Sequence, residues 1–354
     1  MRILLFVCVL AVFTACSSSK KEDDQLKSGD WKLTFDVSNE GEKTLVNVRM
    51  HVDSTGRITI QNGKEIISLS DLRHKSDSVH ARIAPYLSFL HWAEHGSDSI
   101  SGYWVDASRE NYSIPFYATP FEYTNTSDAS WSKTFDVTFS QDTPDAYKSV
   151  GIFNREGNTL TGTFLTETGD FRFLEGRVND SNTQEQLTLG CFDGAHLFYF
   201  TAALENDSIK NGKFYSGKHF NDTWVAHLDD NATLRDPDSL TFLNPGYSSL
   251  KFQVLQLTGD SAWFDEYSMQ GKVTVVEIFG SWCPNCSDET RFLKSLYKKY
   301  GEEKLNIIPV AFERGDDFEK HRTAVQNYAS QFELPFPVYI GGSANGGVGK
   351  CFLL

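Results

Sequence analysis

The sequence predicts two structural regimes in one chain: an all-β region of barrel or sandwich type with an internal repeat, then an α/β domain on a parallel sheet. Three observations carry this. Short strand-like runs separated by Gly, Asn, Asp and Ser turns extend from Trp31 to about Phe242. Landmarks inside that region recur at an offset of 131 − 31 = 100 residues. From Val273 onward, apolar β-branched runs alternate with segments of helical spacing.

The chain has 354 residues and a net charge of −14. That length suggests two or three domains. A hydrophobic content of 40%, with 14% aromatic residues, fills real cores and excludes wholesale disorder. The acidic balance argues against nucleic acid as a partner.

At the N-terminus, Arg2 precedes an apolar run, Ile3 to Phe13, that is too short to span a bilayer. Phe13-Thr14-Ala15-Cys16 resembles the lipobox of bacterial lipoproteins. The resemblance implies a signal peptide over 1–15, cleavage before Cys16 and a lipid on its thiol. An ordinary secretory signal is the alternative. Residues 16–29 then form a polar tether. Its acidic patch resembles surface-export signals of some Gram-negative lipoproteins. Either reading puts the protein outside the cytoplasm: in the cell envelope, facing the periplasm, on the outer membrane or at the surface. Of six cysteines, setting Cys8 and Cys16 aside leaves Cys191, Cys283, Cys286 and Cys351, which is not a disulfide-stapled scaffold.

The β-rich region divides into units 30–126 and 127–243. Leu45 to Val52, Arg57 to Ile60, Thr159 to Leu165 and His196 to Ala203 are strand-like. Trp31-x-x-x-Phe35-Asp36-Val37 returns as Trp131-x-x-x-Phe135-Asp136-Val137. Asp98-Ser99-Ile100-x-Gly102-x-Trp104 returns as Asp207-Ser208-Ile209 with Gly212 and Phe214. Phe116-Tyr117-Ala118 is echoed by Trp224-Val225-Ala226. These landmarks predict a duplicated β unit, its halves packed into one body. Leu189 to His196 is expected to be a Gly-containing turn feeding a strand, with Cys191 buried, although Asp193 or His196 as a ligand contact is the competing reading. Tyr215, His219, Trp224 and His227 are weighed as a groove lining against ordinary core and surface faces.

Asn244-Pro245-Gly246 marks the boundary to the last domain, 244–354. Leu250 to Leu257 is strand-like. Val273 to Phe279 reads as a buried strand, and Gly280-Ser281 breaks it. Trp282-Cys283-Pro284-Asn285-Cys286 opens a helix with Phe292, Leu293, Leu296 and Tyr297 at helical spacing. A helix N-terminus carries unpaired N–H groups and partial positive charge, which stabilise a thiolate at Cys283. Cys286, about one turn on, is placed to close a disulfide with it. Pro284 suits the first turn. Half a zinc site would need a second Cys/His pair, which the sequence does not supply. Gly301 ends the helix, Leu305 to Phe312 is the next parallel strand, Asp316-Asp317 starts a helix over Phe318 to Phe332, and Pro335 to Ile340 is extended. Glu277 stands inside an apolar strand, where an unpartnered charge is strongly unfavourable. Asp288 reads as a complement to the helix dipole.

Gly271-Lys272, the Val273 to Phe279 strand, Gly280-Ser281-Trp282-Cys283-Pro284-Asn285-Cys286 and Glu289 together resemble the thioredoxin-like disulfide reductases of the TlpA/ResA kind. The resemblance covers about a third of the chain. It implies a thioredoxin-like fold, Cys283 as attacking thiol and Cys286 as resolving thiol. Trp282, Pro284 and Asn285 are then the neighbours of the site, and Pro284-Asn285 tunes its potential. Glu289 matches a family acid near the thiols, and Glu277 occupies the place of thioredoxin's buried acid. A carboxyl under a dithiol can take the resolving thiol's proton. The resemblance implies no cofactor beyond the Cys283–Cys286 disulfide and no metal. Its implied partners are disulfide-containing envelope proteins and a membrane electron donor, with the membrane reached through Cys16. The family continues to a cis-Pro loop, a hairpin and a last helix, whereas here Gly341 to Lys350 and Cys351 to Leu354 follow. Pro335 and Pro337 lie too early to be that cis-Pro. The sequence therefore leads to a C-terminally incomplete domain, with Val273 to Phe279 at an open edge. The competing reading is a lipid-anchored β-domain binding protein with an inactive redoxin tail.

Overall fold

A computed structural model of the chain describes residues 25–346 except 40, 76 and 180–183. The expected signal peptide, Cys16, most of the expected tether and Cys351 lie outside the described residues. Nine strands form the first unit: Gly29–Asp36 (β1), Leu45–Val52 (β2), Ile58–Asn62 (β3), Glu65–Ser68 (β4), Ser70–Lys75 (β5), Ser78–Ile83 (β6), Ser88–Glu94 (β7), Ile100–Asp106 (β8) and Ser113–Pro120 (β9). Alternating side chains drive them together, as in β2, where Val46, Val48, Met50 and Val52 turn inward. The sheet runs antiparallel in the order β4-β3-β2-β1-β9-β8-β7-β6-β5. It rolls round a core that includes Trp31, Phe35, Trp92, Trp104 and Phe116.

The second unit holds Ser130–Phe139 (β10), Tyr147–Glu156 (β11), Thr159–Thr166 (β12), Gly169–Asp170 (β13), Leu174–Asn179 (β14), Glu185–Phe192 (β15), Leu197–Glu205 (β16), Ser208–Ser216 (β17) and Phe220–Leu228 (β18). Here the sheet closes: β11 pairs with both β10 and β12, and β10 pairs with β18, so all but β13 form an eight-stranded antiparallel barrel. A closed barrel leaves no unpaired edge. Its core is phenylalanine-rich, with Phe200 stacked on Phe214 at 4.5 Å.

The repeated landmarks fall on equivalent strands. Trp31 and Trp131 lie on β1 and β10, Gly102 and Gly212 on β8 and β17, Ala118 and Ala226 on β9 and β18. Each unit has its own core. They join where Phe192 and Leu197 of the second unit enter the first core and Asn62 makes two hydrogen bonds to the Phe192 backbone, at 3.0 and 3.1 Å. The echoed glycines have one physical reason. Gly102 pairs with Trp92, and a Cβ on it would sit 1.9 Å from the His91 carbonyl oxygen. Gly212 pairs with Trp224, and its Cβ would sit 2.3 Å from the Trp224 oxygen. Gly102→Ala and Gly212→Ala are each expected to cost about 1–3 kcal/mol by overpacking. A thermal midpoint unchanged in both variants would refute that account.

The last domain contains Phe252–Leu255 (β19), Ser261–Phe264 (β20), Val273–Phe279 (β21), Pro284–Tyr300 (α1), Leu305–Glu313 (β22), Phe318–Phe332 (α2) and Tyr339–Ser343 (β23). Its sheet order is β20-β19-β23-β22-β21. β21, β22 and β23 run parallel, but β19 and β20 are antiparallel, so the sheet is mixed. The extended piece expected over Pro335 to Ile340 becomes strand only from Tyr339. Both helices pack on one face, Leu293 of α1 against Ile307 and Val325 and Tyr328 of α2 against Phe279 and Ala311. The other face buries Ile308, Val310 and Phe312 on Phe252 and Val254. Among the described residues, β21 is paired on one side only.

Candidate redox-active site

The site begins where β21 ends. Gly280 lets the chain turn tightly: a Cβ there would meet the Trp282 indole nitrogen at 2.5 Å and the Phe312 oxygen at 3.0 Å. Trp282 Nε1 donates to the Phe312 carbonyl at 3.1 Å, which pins the turn to β22. Cys283 is the N-cap of α1, with its Sγ accepting from the Cys286 N–H at 3.3 Å. Pro284 takes the first helical position. Cys283 and Cys286 are joined as a disulfide, Cα–Cα 5.3 Å. Both are half-buried, and Cys286 packs against the cluster of Phe279, Ala311 and Ile340.

One turn beyond Cys286, Thr290 Oγ1 donates to Glu277 Oε1 at 3.2 Å and meets the Tyr328 hydroxyl at 2.8 Å. Glu277 is 8% exposed. Burial pushes its pKa from 4.5 to about 7, and the charge of Glu289 adds to the rise. Glu289 itself is exposed on α1. Burial also pushes Tyr328 up to about 12. Beside the cysteines, Glu313 at the end of β22 accepts from Ser281 N–H and Oγ, both at 2.8 Å. Arg314 lies over the Trp282 ring at 4.7 Å.

Asn285 and Asp288 hold the domain to the barrels. Arg172 Nη1, just after β13, donates to Asn285 Oδ1 at 3.0 Å and to Asp288 Oδ2 at 2.6 Å. Asn285 Nδ2 donates to the Asp170 carbonyl at 3.1 Å. Arg172 also reaches Glu65 of the first unit at 2.5 Å and lies 3.6 Å from Asp193. The reading of Asp288 as a dipole complement is corrected: it lies beyond the first turn of α1 and pairs with Arg172 and Arg291.

The structure thus places Cys283, Cys286 and the neighbours Trp282, Pro284 and Asn285 at one helix start, with Glu277 bonded to Thr290 one turn on and Glu289 on the exposed side of α1. Sequence reasoning missed Thr290, Tyr328, Glu313, Arg314 and Arg172. Glu313 and Arg314 were accessible to one rule, that sites in parallel sheets lie at the carboxyl ends of strands. In the second barrel, Asp193 accepts from Ala195 and His196 N–H and shapes the turn before β16, while Cys191 is fully buried. Of Tyr215, His219, Trp224 and His227, Trp224 is core, Tyr215 bonds Glu42, His227 lies by Asp136 and His219 lies 3.4 Å from Arg109.

Residues 249–350 match the redoxin family. Thiol-disulfide oxidoreductase ResA of Bacillus cereus (strain ZK / E33L) is 30% identical over 95 residues, 27% of this chain and 50% of that protein. Thioredoxin-like protein YneN of Bacillus subtilis (strain 168) is 26% identical over 98 residues, 28% of this chain and 54% of that one. A secreted Mycobacterium tuberculosis disulfide oxidoreductase of known structure is 26% identical, covering 28% of this chain and 65% of that one, with a TM-score of 0.22. The chain spans about half the length of the curated relatives it matches. The C-terminal domain is a thioredoxin-like redoxin domain, similar over 95 residues to a thiol-disulfide oxidoreductase.

Proposed function

We propose that the protein is an envelope-anchored thiol-disulfide oxidoreductase that reduces disulfides of envelope proteins, tethered to the membrane through a lipid on Cys16. The observation that carries this reading is the Cys283–Cys286 pair at the start of α1, one turn before Thr290, which donates to the buried Glu277 carboxyl. Reduction of the pair frees both thiols. The Cys283 thiolate then attacks a substrate disulfide, forming a Cys283–S–S–R bond and expelling one substrate thiolate. Cys286 loses its proton, attacks the Cys283 sulfur, reforms the Cys283–Cys286 bond and expels the second thiolate. Two electrons pass to the substrate, and two protons convert its thiolates to thiols. Glu277 is the acceptor for the Cys286 proton. A dithiol electron donor of the membrane resets the pair.

The test is a Cys286→Ser variant of the full chain. Removing the resolving thiol strands the first intermediate, so client proteins should accumulate as Cys283-dependent mixed disulfides, resolved on non-reducing gels. Absence of adducts under oxidising turnover would favour the lipid-anchored binding protein with an inactive redoxin tail.

A further inference from the structure

A cleft of about 730 Å³ opens beside Trp282, walled by both barrels and the redoxin domain. Ser281 and Trp282 form its inner end, the Asp106–Glu110 loop of the first barrel one wall, and α2 the other. It lies outside the carboxyl ends of β21 and β22, the usual ligand position in open α/β sheets.

Two guanidiniums converge there on one carboxylate oxygen. Arg109 Nε is 3.0 Å from Asp106 Oδ2, and Arg314 Nη1 is 3.3 Å from the same atom. The other Asp106 oxygen is taken by Ser108, through its N–H at 3.0 Å and its Oγ at 2.6 Å. The other acids of the cleft are Glu313, Glu319 and Glu110, and Glu313 acts on Arg314 as an opposite charge. Glu313 is engaged by Ser281, Glu319 is paired with Arg322, and Glu110 sits on the exposed rim. Arg82 and Lys320 add positive charge, and Arg82 donates only to main-chain carbonyls of Pro85 and Tyr86 among its described bonds. The local field is felt by His219, 3.4 Å from Arg109: burial, then Arg109 and Arg314, hold its pKa below the usual histidine value. The lining holds four cations, Arg82, Arg109, Arg314 and Lys320, and four acids, Asp106, Glu110, Glu313 and Glu319, so what distinguishes the cleft is its paired guanidiniums rather than a net charge.

We propose that this cleft is a substrate subsite that receives an acidic side chain flanking the disulfide of the polypeptide being reduced. The proposal rests on the exchange reading above. Arg314 lies over the Trp282 ring at 4.7 Å and Arg109 over Tyr112 at 4.6 Å, so both planar forks are held in place before a carboxylate arrives. A preorganised fork loses little freedom on binding and suits a bidentate carboxylate.

Two disulfide-bridged peptides that differ only in flanking Glu or Gln residues test this on the full chain. The Glu peptide is expected to be reduced with a kcat/KM about tenfold higher, the size of one charge-assisted hydrogen bond of about 1.4 kcal/mol. The preference should sit in KM, weaken with salt, vanish in Arg109→Met and return in part in Arg109→Lys. Binding of the same peptides to the Cys283→Ser/Cys286→Ser double variant separates the two ideas. A Glu preference in binding without any turnover by the wild type would sink the exchange reading and keep the subsite. Equal binding of both peptides, or a preference that survives in Arg109→Met and Arg314→Met, would overturn the subsite.

Discussion

Replacing Arg172 with Met is expected to lower the stability of the full chain by about 3–5 kcal/mol and to release the redoxin domain from the barrels. The side chain is 7% exposed and is shared by three groups of acceptors: Glu65 from the first unit, Asp193 from the second, and Asn285 with Asp288 from α1. Removing the cation leaves a buried Asp193 and a half-buried Glu65 whose charges act on one another, and burial already pushes the Glu65 pKa up. Asp288 is half exposed, so its share is small. The network also offsets a local strain: Arg172 holds φ at 63°, in the left-handed region that a Cβ disfavours. Arg172→Lys should recover only part of the loss, because one ammonium cannot serve acceptors spread round a planar fork. Urea unfolding gives the stability, and limited proteolysis in the exposed segment between β18 and β19 reports the release. A loss under about 1 kcal/mol would mean the domains are held by other contacts.

Features written in local chemistry were legible before the fold was. The Asp317 cap and the full span of α2, the Gly301 stop and the β21 strand follow from neighbouring residues. So do the repeat landmarks, because each glycine faces a tryptophan on the adjacent strand. Contacts across the chain were not legible. Arg172 meets Asn285 across 113 residues and Arg314 meets Asp106 across 208, and nothing in either local sequence announces the partner. Asp288 was misread for the same reason: a helix-start acid has a sufficient local explanation until a cation from another unit arrives. The antiparallel placement of β19 is likewise set by tertiary pairing, since a short apolar strand carries no direction in its pattern. Glu277 was the opposite case. A lone acid in an apolar strand is conspicuous because its burial has to be offset, and the offset is the Thr290–Tyr328 pair.

Glu277→Gln separates what that carboxyl does for chemistry from what it costs the fold. For the resolving step, loss of a general base is expected to slow release of the mixed disulfide by about 10²–10³-fold. Formation of the mixed disulfide at Cys283 should hardly change. In the wild type the resolving rate should climb as pH rises through about 7, where Glu277 becomes ionised and able to accept a proton. In Glu277→Gln that climb should disappear, which rapid-quench kinetics over pH 5.5 to about 8.5 will show. Stability moves the other way. The folded pKa of about 7 lies above the ordinary 4.5, so between those values the folded state binds more protons than the unfolded chain. Stability is therefore full below about pH 4.5, falls as pH rises and is lowest above about 7, by about 3 kcal/mol from a rise of this size. Gln keeps an acceptor for Thr290 and carries no charge. The variant should match the wild type near pH 4.5 and exceed it by up to that amount at pH 8. Equal urea midpoints for the two proteins at pH 8 would show that Glu277 ionises without penalty, and with that the case for a carboxyl poised to accept the Cys286 proton near neutral pH would fail.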